Sequence, residues 1–399
     1  MRMKVEQGKY DVIVVGAGPV GCVIADRAAR ETGWRCLVLE KRPHLAGNCH
    51  DFLDENGVLL HRYGPHCFRT WDKSLLDYMG RFTEWIPGNH RVQALHKNRL
   101  FPIPINLTTL ELFFNQKLTE ESGRSLIEQK RHDIKEPKNS EELVLSRVGR
   151  ELYEAFYRGY TKKQWGLDPA ELAPSVCDRI PVRLNRDDRY VDERFQFMPK
   201  NGFTALFQKM LHHPRIDVCL NCDYLALKDH LKANVALVYT GPIDSYFDYC
   251  HGPLPYRSLD FQWILSNKEF DQPCMAINYP SDYDYTRSVE IKHVTGQKHS
   301  KSVIALEYPR SAGEPFYPIP TEENFKRYEL YRKMTEKETA EKGIYFCGRL
   351  ATYSYLNIDE AIQNALKLHA TIKRRHYRAY AMDRRPGLQR REESQDLCN

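Results

Sequence analysis

Apolar and polar positions follow three different rhythms along this chain. In "YDVIVVGAGPVGCVIADRAARE" a β-branched run, Val12 to Val15, leads into a glycine turn and then into apolar positions at helical spacing. "WRCLVLEKRP" repeats the apolar run and ends it at Glu40, so strand, turn, helix and strand form a βαβ unit. Two later runs have the same character, "ANVALVYTGPID" (233–244) and "GIYFCGRL" (343–350), and the second precedes the helical pattern "NIDEAIQNALKLHATIKRR". Residues 106–172 carry helical periodicity, as in "NSEELVLSRVGRELYEAFY", where Asn139 and Glu142 are spaced as a capping box. Around 90–105, 176–200 and 255–320 the chain is rich in Pro and Tyr and alternates, as in "PCMAINYP" and "KSVIALEYP", which predicts an antiparallel sheet.

Bulk properties change this picture little. At 399 residues the chain can bury a large core and divide into two or three domains. No apolar run approaches the roughly 20 residues of a membrane span, and "MRMKVEQGKY" has no apolar signal segment, so a cytoplasmic protein without membrane contact is expected. The net charge of +6 is concentrated at the end: residues from Ile372 to Asn399 carry +4 of it, leaving +2 for the rest. That distribution reads as a mobile basic tail and gives no support to a nucleic-acid surface. The 11 cysteines include one CxxC, Cys219 to Cys222, in a segment that alternates like a strand. Without a second pair it does not make a zinc site, and structural thiols are the expectation; no metal is expected.

Gly16, Gly18 and Gly21 form GxGxxG between a strand and a helix. The spacing allows a tight turn, close approach of a pyrophosphate to the backbone, and close helix–strand packing. Glu40, at the end of the next strand, suits a ribose hydroxyl. The continuation "KRPHLAGN", with Gly47 and Asn48, resembles the extended fingerprint of FAD proteins of the glutathione-reductase type. At the C-terminal end a strand stops at Gly348 and a helix starts near Asn357 or Asp359, a helix whose positive end would face a flavin. The expected fold is therefore α/β: a Rossmann-like FAD-binding domain with an inserted helical domain and an antiparallel β-sheet domain. Its expected segments are 1–80, 199–248 and 336–372 for the FAD-binding domain and 106–172 for the helical domain. Residues 81–105 and 249–335 would supply the sheet domain, and 373–399 the tail.

"YEAFYRGYTKKQWG" (153–166) combines five aromatic rings with three cations. On a helix Phe156 and Tyr160 would lie side by side, with Tyr153 and Tyr157 paired on the neighbouring face. Such a stripe is usually core, but rings at its charged end could stack on a nucleobase. Arg179 and Arg287 are candidate diphosphate partners, because a guanidinium donates two parallel hydrogen bonds, and Tyr190, Tyr317 and Tyr355 are candidate phenol donors.

In order, "GPHCFRT", "FYRGYTKKQWG", "RIPVRLNRDDRY", "INYPSDYDYTR", "EPFYPIP" and "GRLATYSYLNID" resemble the UDP-galactopyranose mutase family over about residues 10–370. The resemblance implies redox-neutral interconversion of UDP-galactopyranose and UDP-galactofuranose, the latter for cell-surface glycans, by an enzyme that requires reduced FAD. The flavin nitrogen-5 would attack the anomeric carbon, and UDP would leave and return. By position, Tyr160 would stack on uracil, Phe156 and Tyr157 would line the base pocket, and Trp165 would sit at the sugar–phosphate end. Arg179 and Arg287 would hold the diphosphate with Tyr190, Tyr317 and Tyr355. His66 would lie against the flavin, and Arg349, Leu356, Asn357 and Ile358 would contact the cofactor, Asn357 also facing the substrate. His90 stands where Asn is common, Asn357 where Asp is common, and Ala46 in place of a glycine. The resemblance further implies a mobile flap around Arg179 (173–198) and a homodimer or higher homo-oligomer. Two other readings share the cofactor fingerprint: an FAD-dependent oxidoreductase of the amine-oxidase kind, and a nucleotide-sugar sensor without catalysis.

Overall fold

The computed structural model describes residues 8–383. Its first layer is a five-stranded parallel sheet in the order Ile216–Cys219, Cys36–Leu39, Val12–Val15, Ala236–Tyr239, Ile344–Phe346. Four of these strands are the apolar runs of the sequence, largely buried because helices cover the sheet. Helix Pro19–Thr32 follows the glycine turn and packs against helix Ile358–Asp383 and helix Gly202–Leu211. The last helix continues through Asp383, so residues 373–383, read from the sequence as the start of a mobile tail, extend it instead. Residues 384–399 of the expected tail lie outside the described residues.

A seven-stranded sheet forms the second layer, in the order Tyr317–Pro318, Tyr256–Ser266, Ser302–Arg310, Arg287–Val289, Ala276–Asn278, Val92–His96, Arg99–Ile103. It is antiparallel, as the alternation predicts, except where Ala276–Asn278 runs parallel to Val92–His96. That join brings together two chain segments far apart in sequence, which no local pattern can announce. The 176–200 segment differs from expectation. Only Phe195–Pro199 is a strand there, and it joins Phe68–Thr70 and Trp85–Pro87 in a separate three-stranded sheet.

Helices Leu107–Phe114, Glu120–Lys130 and Ser140–Leu152 make up the inserted helical region, the last capped by Asn139 accepting from the Glu142 amide at 2.9 Å. Helix Glu322–Lys342, which crosses the expected boundary between the sheet segment 249–335 and the FAD-binding segment 336–372, was not legible in the sequence. It is polar on nearly all sides, burying only Asn324 and Tyr331, and is supported by i,i+4 ion pairs such as Lys326–Glu322 and Lys342–Glu338. A helix of that kind has no apolar stripe to read.

Candidate active site

The glycine turn is built by contacts that only glycine permits. Gly16 has φ +103°, and a Cβ on Gly21 would fall 1.9 Å from the Gly16 carbonyl oxygen. Gly47 approaches Gly18 so closely that a Cβ would sit 2.9 Å from its Cα, at a φ of +54°. Ala46 sits at φ 73°, the left-handed region that the usual glycine would occupy without strain, and its amide donates to the Ala17 carbonyl at 2.9 Å. Glu40 accepts from the Ala17 and Arg42 amides, both at 2.9 Å. Asn48 accepts from Arg42 Nη1 at 2.9 Å.

These residues open onto one cavity of about 910 Å³. Gly16, Gly18, Glu40, Gly47 and Asn48 line one part of it. His66, Arg349, Leu356, Asn357 and Ile358 line another, so both ends of the sequence reading converge. Gly21 does not line the cavity; it lets the helix pack. Asn357 heads the last helix, its amide donating to Glu360 Oε2 at 2.7 Å, while its side-chain oxygen accepts from Arg69 Nη2 at 2.8 Å. Arg349 donates to the Leu356 carbonyl at 2.5 Å and the Phe316 carbonyl at 3.3 Å. His66 has Nδ1 2.8 Å from the Gly64 carbonyl, which requires the proton there and leaves Nε2 as the acceptor. Burial, with His61, Arg349 and Arg287 nearby, pulls its pKa down to about 3, so the ring is neutral.

Beyond His66 lies a cluster of guanidiniums and phenols. Arg179 Nη1 donates to the Tyr355 hydroxyl at 2.6 Å, and Tyr355 stacks on Tyr317 with ring centres 5.7 Å apart. Trp165 meets Tyr317 edge-on at 6.3 Å, and Arg349 lies over both tyrosine rings, at 5.3 and 4.8 Å. Burial alone would raise the Tyr355 phenol, but Arg179, Arg349, Arg69 and Arg287 outweigh it and bring its pKa down to about 8. Tyr160 is raised by burial, with Arg287, Tyr190 and Arg179 around it. Arg287 stands opposite Glu307 in the sheet register and donates to it through Nε at 2.5 Å. Among the described residues, the two terminal nitrogens of Arg287 have no protein hydrogen-bond partner, and they remain available to an anion. Tyr190 stacks obliquely on His90 at 4.8 Å and donates its amide to the His90 carbonyl. Burial, then Arg287 and Arg69, hold His90 down at about 3, also neutral, and its Nε2 is buried without a hydrogen-bond partner among the described residues.

The aromatic stretch differs from a uniform platform. Tyr153–Arg158 is a π-helical turn, followed by α-helix Gly159–Trp165. The wider turn breaks the i,i+4 pairing. Phe156, only 6% exposed, packs into a core of Phe101, Phe113 and His96, whereas Tyr160 faces the guanidiniums. Tyr157 lies half-buried near Cys177 and Tyr190. Two of the cations are also structural: Arg158 pairs with Glu154, and Lys163 donates to the carbonyls of Tyr279, Tyr283 and Tyr285.

Two residues that join the cluster were not singled out in the sequence. Arg69 sits inside the quoted "GPHCFRT", and its proximity to Asn357 depends on tertiary packing. Glu307 could have been found only by pairing "KSVIALEYP" with "YTRSVE" in register. Cys219 and Cys222 are free thiols, and no metal-holding cluster occurs among the described residues. Nor is any helix among the described residues long and apolar enough to cross a membrane.

A family model described as UDP-galactopyranose mutase matches residues 155–355, the span that holds most of the guanidinium and phenol cluster. A Klebsiella pneumoniae protein named as a probable UDP-galactopyranose mutase is 39% identical over 90% of this chain and 93% of its own length. The chain belongs to the UDP-galactopyranose mutase family. The UDP-galactopyranose mutase of Mycoplasma genitalium is 35% identical over 90% of this chain and 93% of its own. A dTDP-fucopyranose mutase of Escherichia coli is equally similar, 35% identical over 89% and 96%. A second family model, for an NAD(P)-binding Rossmann-like domain, matches residues 14–82. Among solved structures, a reduced UDP-galactopyranose mutase superposes with a TM-score of 0.69 at 17% identity, covering 92% of this chain and 96% of that one. A putrescine oxidase bound to putrescine superposes at 0.56 and 13%, covering 92% and 99%. These two show a fold that this chain shares with a reduced UDP-galactopyranose mutase and with putrescine oxidase.

Proposed function

We propose that this chain interconverts UDP-galactopyranose and UDP-galactofuranose without net redox change, holding FAD in the 910 Å³ cavity. The cavity fits that group. It is at the upper end of the range for ligand sites, it is long enough to join the glycine turn to the head of the last helix, and Gly18 and Gly47 leave the backbone bare at the pyrophosphate position. Glu40 lies where a ribose would be held, and the helix beginning at Ile358 points its positive end into the cavity. Reduced FAD, when bound, supplies a nucleophilic nitrogen to the sugar carbon.

The residues of the chain do the rest. Arg179 and Arg287 take the diphosphate, and the unpartnered terminal nitrogens of Arg287 meet phosphate oxygens in bidentate fashion. As UDP departs, its growing charge is balanced by guanidiniums already fixed in place, which is electrostatic stabilisation with little reorganisation. Tyr355 and Tyr317 add hydroxyl donors. Neutral His66 offers Nε2 between cavity and cluster as a hydrogen-bond acceptor. Tyr160 is the ring left to face uracil.

The observation that carries this reading is the cluster of guanidiniums around Tyr355 beside the cavity, the charge complement of a diphosphate: Arg179 donates to its hydroxyl, Arg349 lies over its ring, and Arg69 and Arg287 act on it as charges. An amine oxidase would have no use for it. The test is to incubate the dithionite-reduced protein with UDP-galactofuranose and separate the sugars. UDP-galactopyranose should form, with no oxygen or nicotinamide consumed, and oxidised protein should not turn over. Turnover of a dTDP-fucose pair in preference to the UDP-galactose pair would assign the activity of the Escherichia coli relative instead.

A further inference from the structure

The CxxC loop is tied to the cofactor cavity by its backbone. The Glu40 amide donates to the Cys219 carbonyl at 2.9 Å, and the Cys222 amide donates to the Glu40 carbonyl at 2.9 Å. The Asn221 amide reaches the Arg42 carbonyl at 3.1 Å. The two cysteines thus bracket the main chain of the residue placed at the ribose. Cys222 itself lines the cavity beside Glu40, Lys41 and Arg42. Both thiols are half-buried, the Cys219 thiol donates to the Leu220 carbonyl at 3.8 Å, and Cys222 lies within electrostatic reach of Cys219. Asn221 between them has φ 53°, the left-handed bend that folds Cys222 back toward Cys219. The sequence expectation of inert structural thiols does not account for two neighbouring thiols that bracket Glu40 at the edge of a ligand cavity.

We propose that Cys219 and Cys222 are a modification site: a dithiol that hydrogen peroxide converts to a disulfide, loosening the Glu40 loop and with it the hold on the cofactor. The step balances as two thiols and one peroxide giving one disulfide and two waters. The Cys219 sulfur displaces hydroxide from the peroxide bond to give a sulfenic acid, and the Cys222 sulfur then displaces water from it. Burial, then its closeness to Cys219, raises the Cys222 pKa to about 11, so its thiolate is scarce and Cys222 takes the second step, where its proton leaves with the sulfenic hydroxyl as water. Drawing Cys222 toward Cys219 strains the bond between its amide and the Glu40 carbonyl. Loss of that one bond should raise the FAD dissociation constant roughly three- to tenfold.

The consequence for FAD rests on the cofactor reading above, but the site does not. The experiment treats the full-length holoprotein with graded hydrogen peroxide and maps its disulfides by peptide mass. The exposed Cys250 serves as an internal gauge of oxidant dose. A Cys219–Cys222 bridge should form before Cys250 is over-oxidised. Amide exchange at Glu40 and Cys222 should quicken, and FAD release should rise. All of this should reverse with dithiothreitol, persist in Cys250→Ser and vanish in Cys219→Ser and Cys222→Ser. No bridge at doses that oxidise Cys250 would overturn the site, and a bridge with unchanged amide exchange would overturn the coupling. A bridge with quickened exchange in a protein that never carries flavin would refute the cofactor reading and leave the dithiol site standing.

Discussion

Arg287→Ala separates what the guanidinium does for the fold from what it does for the ligand. Glu307 is 0% exposed, its Oε2 is held by Arg287 Nε at 2.5 Å, and its Oε1 has no hydrogen-bond partner among the described residues. Removing Arg287 leaves a fully buried carboxylate with no compensation. Breaking a buried pair in this way costs about 3–5 kcal/mol. The Arg287 side chain keeps 20% of its exposure, so water can partly replace it, and the lower figure of about 3 kcal/mol applies. The pH dependence follows from the sign of the shift. Burial already raises Glu307 above its usual value, and losing Arg287 raises it further, so the folded variant holds a proton that the unfolded chain releases. Its stability should therefore fall as pH rises above the unfolded carboxyl pKa. The penalty should be small near pH 5 and near its full size at about pH 8. Urea unfolding of flavin-free protein at both pH values would measure it. Arg287→Ala combined with Glu307→Gln should recover most of the stability at pH 8 and flatten the pH slope. UDP affinity should remain low in both variants. A loss below about 1 kcal/mol at pH 8 with no pH slope would refute the buried-pair argument. Normal UDP binding by the double variant would refute the clamp.

Four further outcomes are expected. UDP affinity should decline as pH rises through about 8, where the Tyr355 phenol ionises and puts negative charge among the guanidiniums. The slope should reach at most about one decade per pH unit, and isothermal titration of Tyr355→Phe should show it flattened. Gly47→Ala should abolish flavin retention, read as the flavin-to-protein absorbance ratio, because its Cβ would press on Gly18 at a backbone angle that favours glycine. Ala46→Gly should be neutral or stabilising by up to about 1 kcal/mol in thermal unfolding, since it relieves a left-handed φ at some entropic cost. Lys163→Met should weaken UDP binding about five- to fiftyfold without contacting UDP, because three carbonyls of the 279–285 loop lose their cation; unchanged binding would remove the anchoring role.

What was legible in the sequence was whatever is enforced by local backbone chemistry. GxGxxG, Glu40 and Gly47-Asn48 could be read because a pyrophosphate demands bare backbone at fixed spacing, and the cavity joins all of them except Gly21. Asn139 was legible as a cap for the same local reason. Glu307, Arg69 and the parallel join between Ala276–Asn278 and Val92–His96 were not, because each depends on which distant segment lies alongside. Helix Glu322–Lys342 escaped for a different reason. Its stability comes from surface ion pairs and two buried side chains, a pattern without apolar periodicity.

The 153–166 stretch shows why composition alone misplaces roles. Its rings and cations suggest one surface that meets a nucleotide, but the π-turn at Tyr153–Arg158 divides them. It turns Phe156 into the helical core and leaves Tyr160 on the ligand side. Gly159 then presses against the Pro280 carbonyl so closely that a Cβ would lie 2.2 Å from it, and Lys163 binds three carbonyls of the same loop. That loop runs directly into the strand that presents Arg287. At the C-terminal end of the helix, Arg257 donates to the carbonyls of Gln164 at 2.9 Å and Lys163 at 3.2 Å, capping it with positive charge. Its glycine and one of its lysines thus fix the loop that leads to Arg287, and Tyr160 is left beside the guanidiniums. On the proposed reading, base and phosphate recognition would be coupled through a single short helix, and a π-turn, which inserts one residue without unfolding the helix, is a means of setting that register.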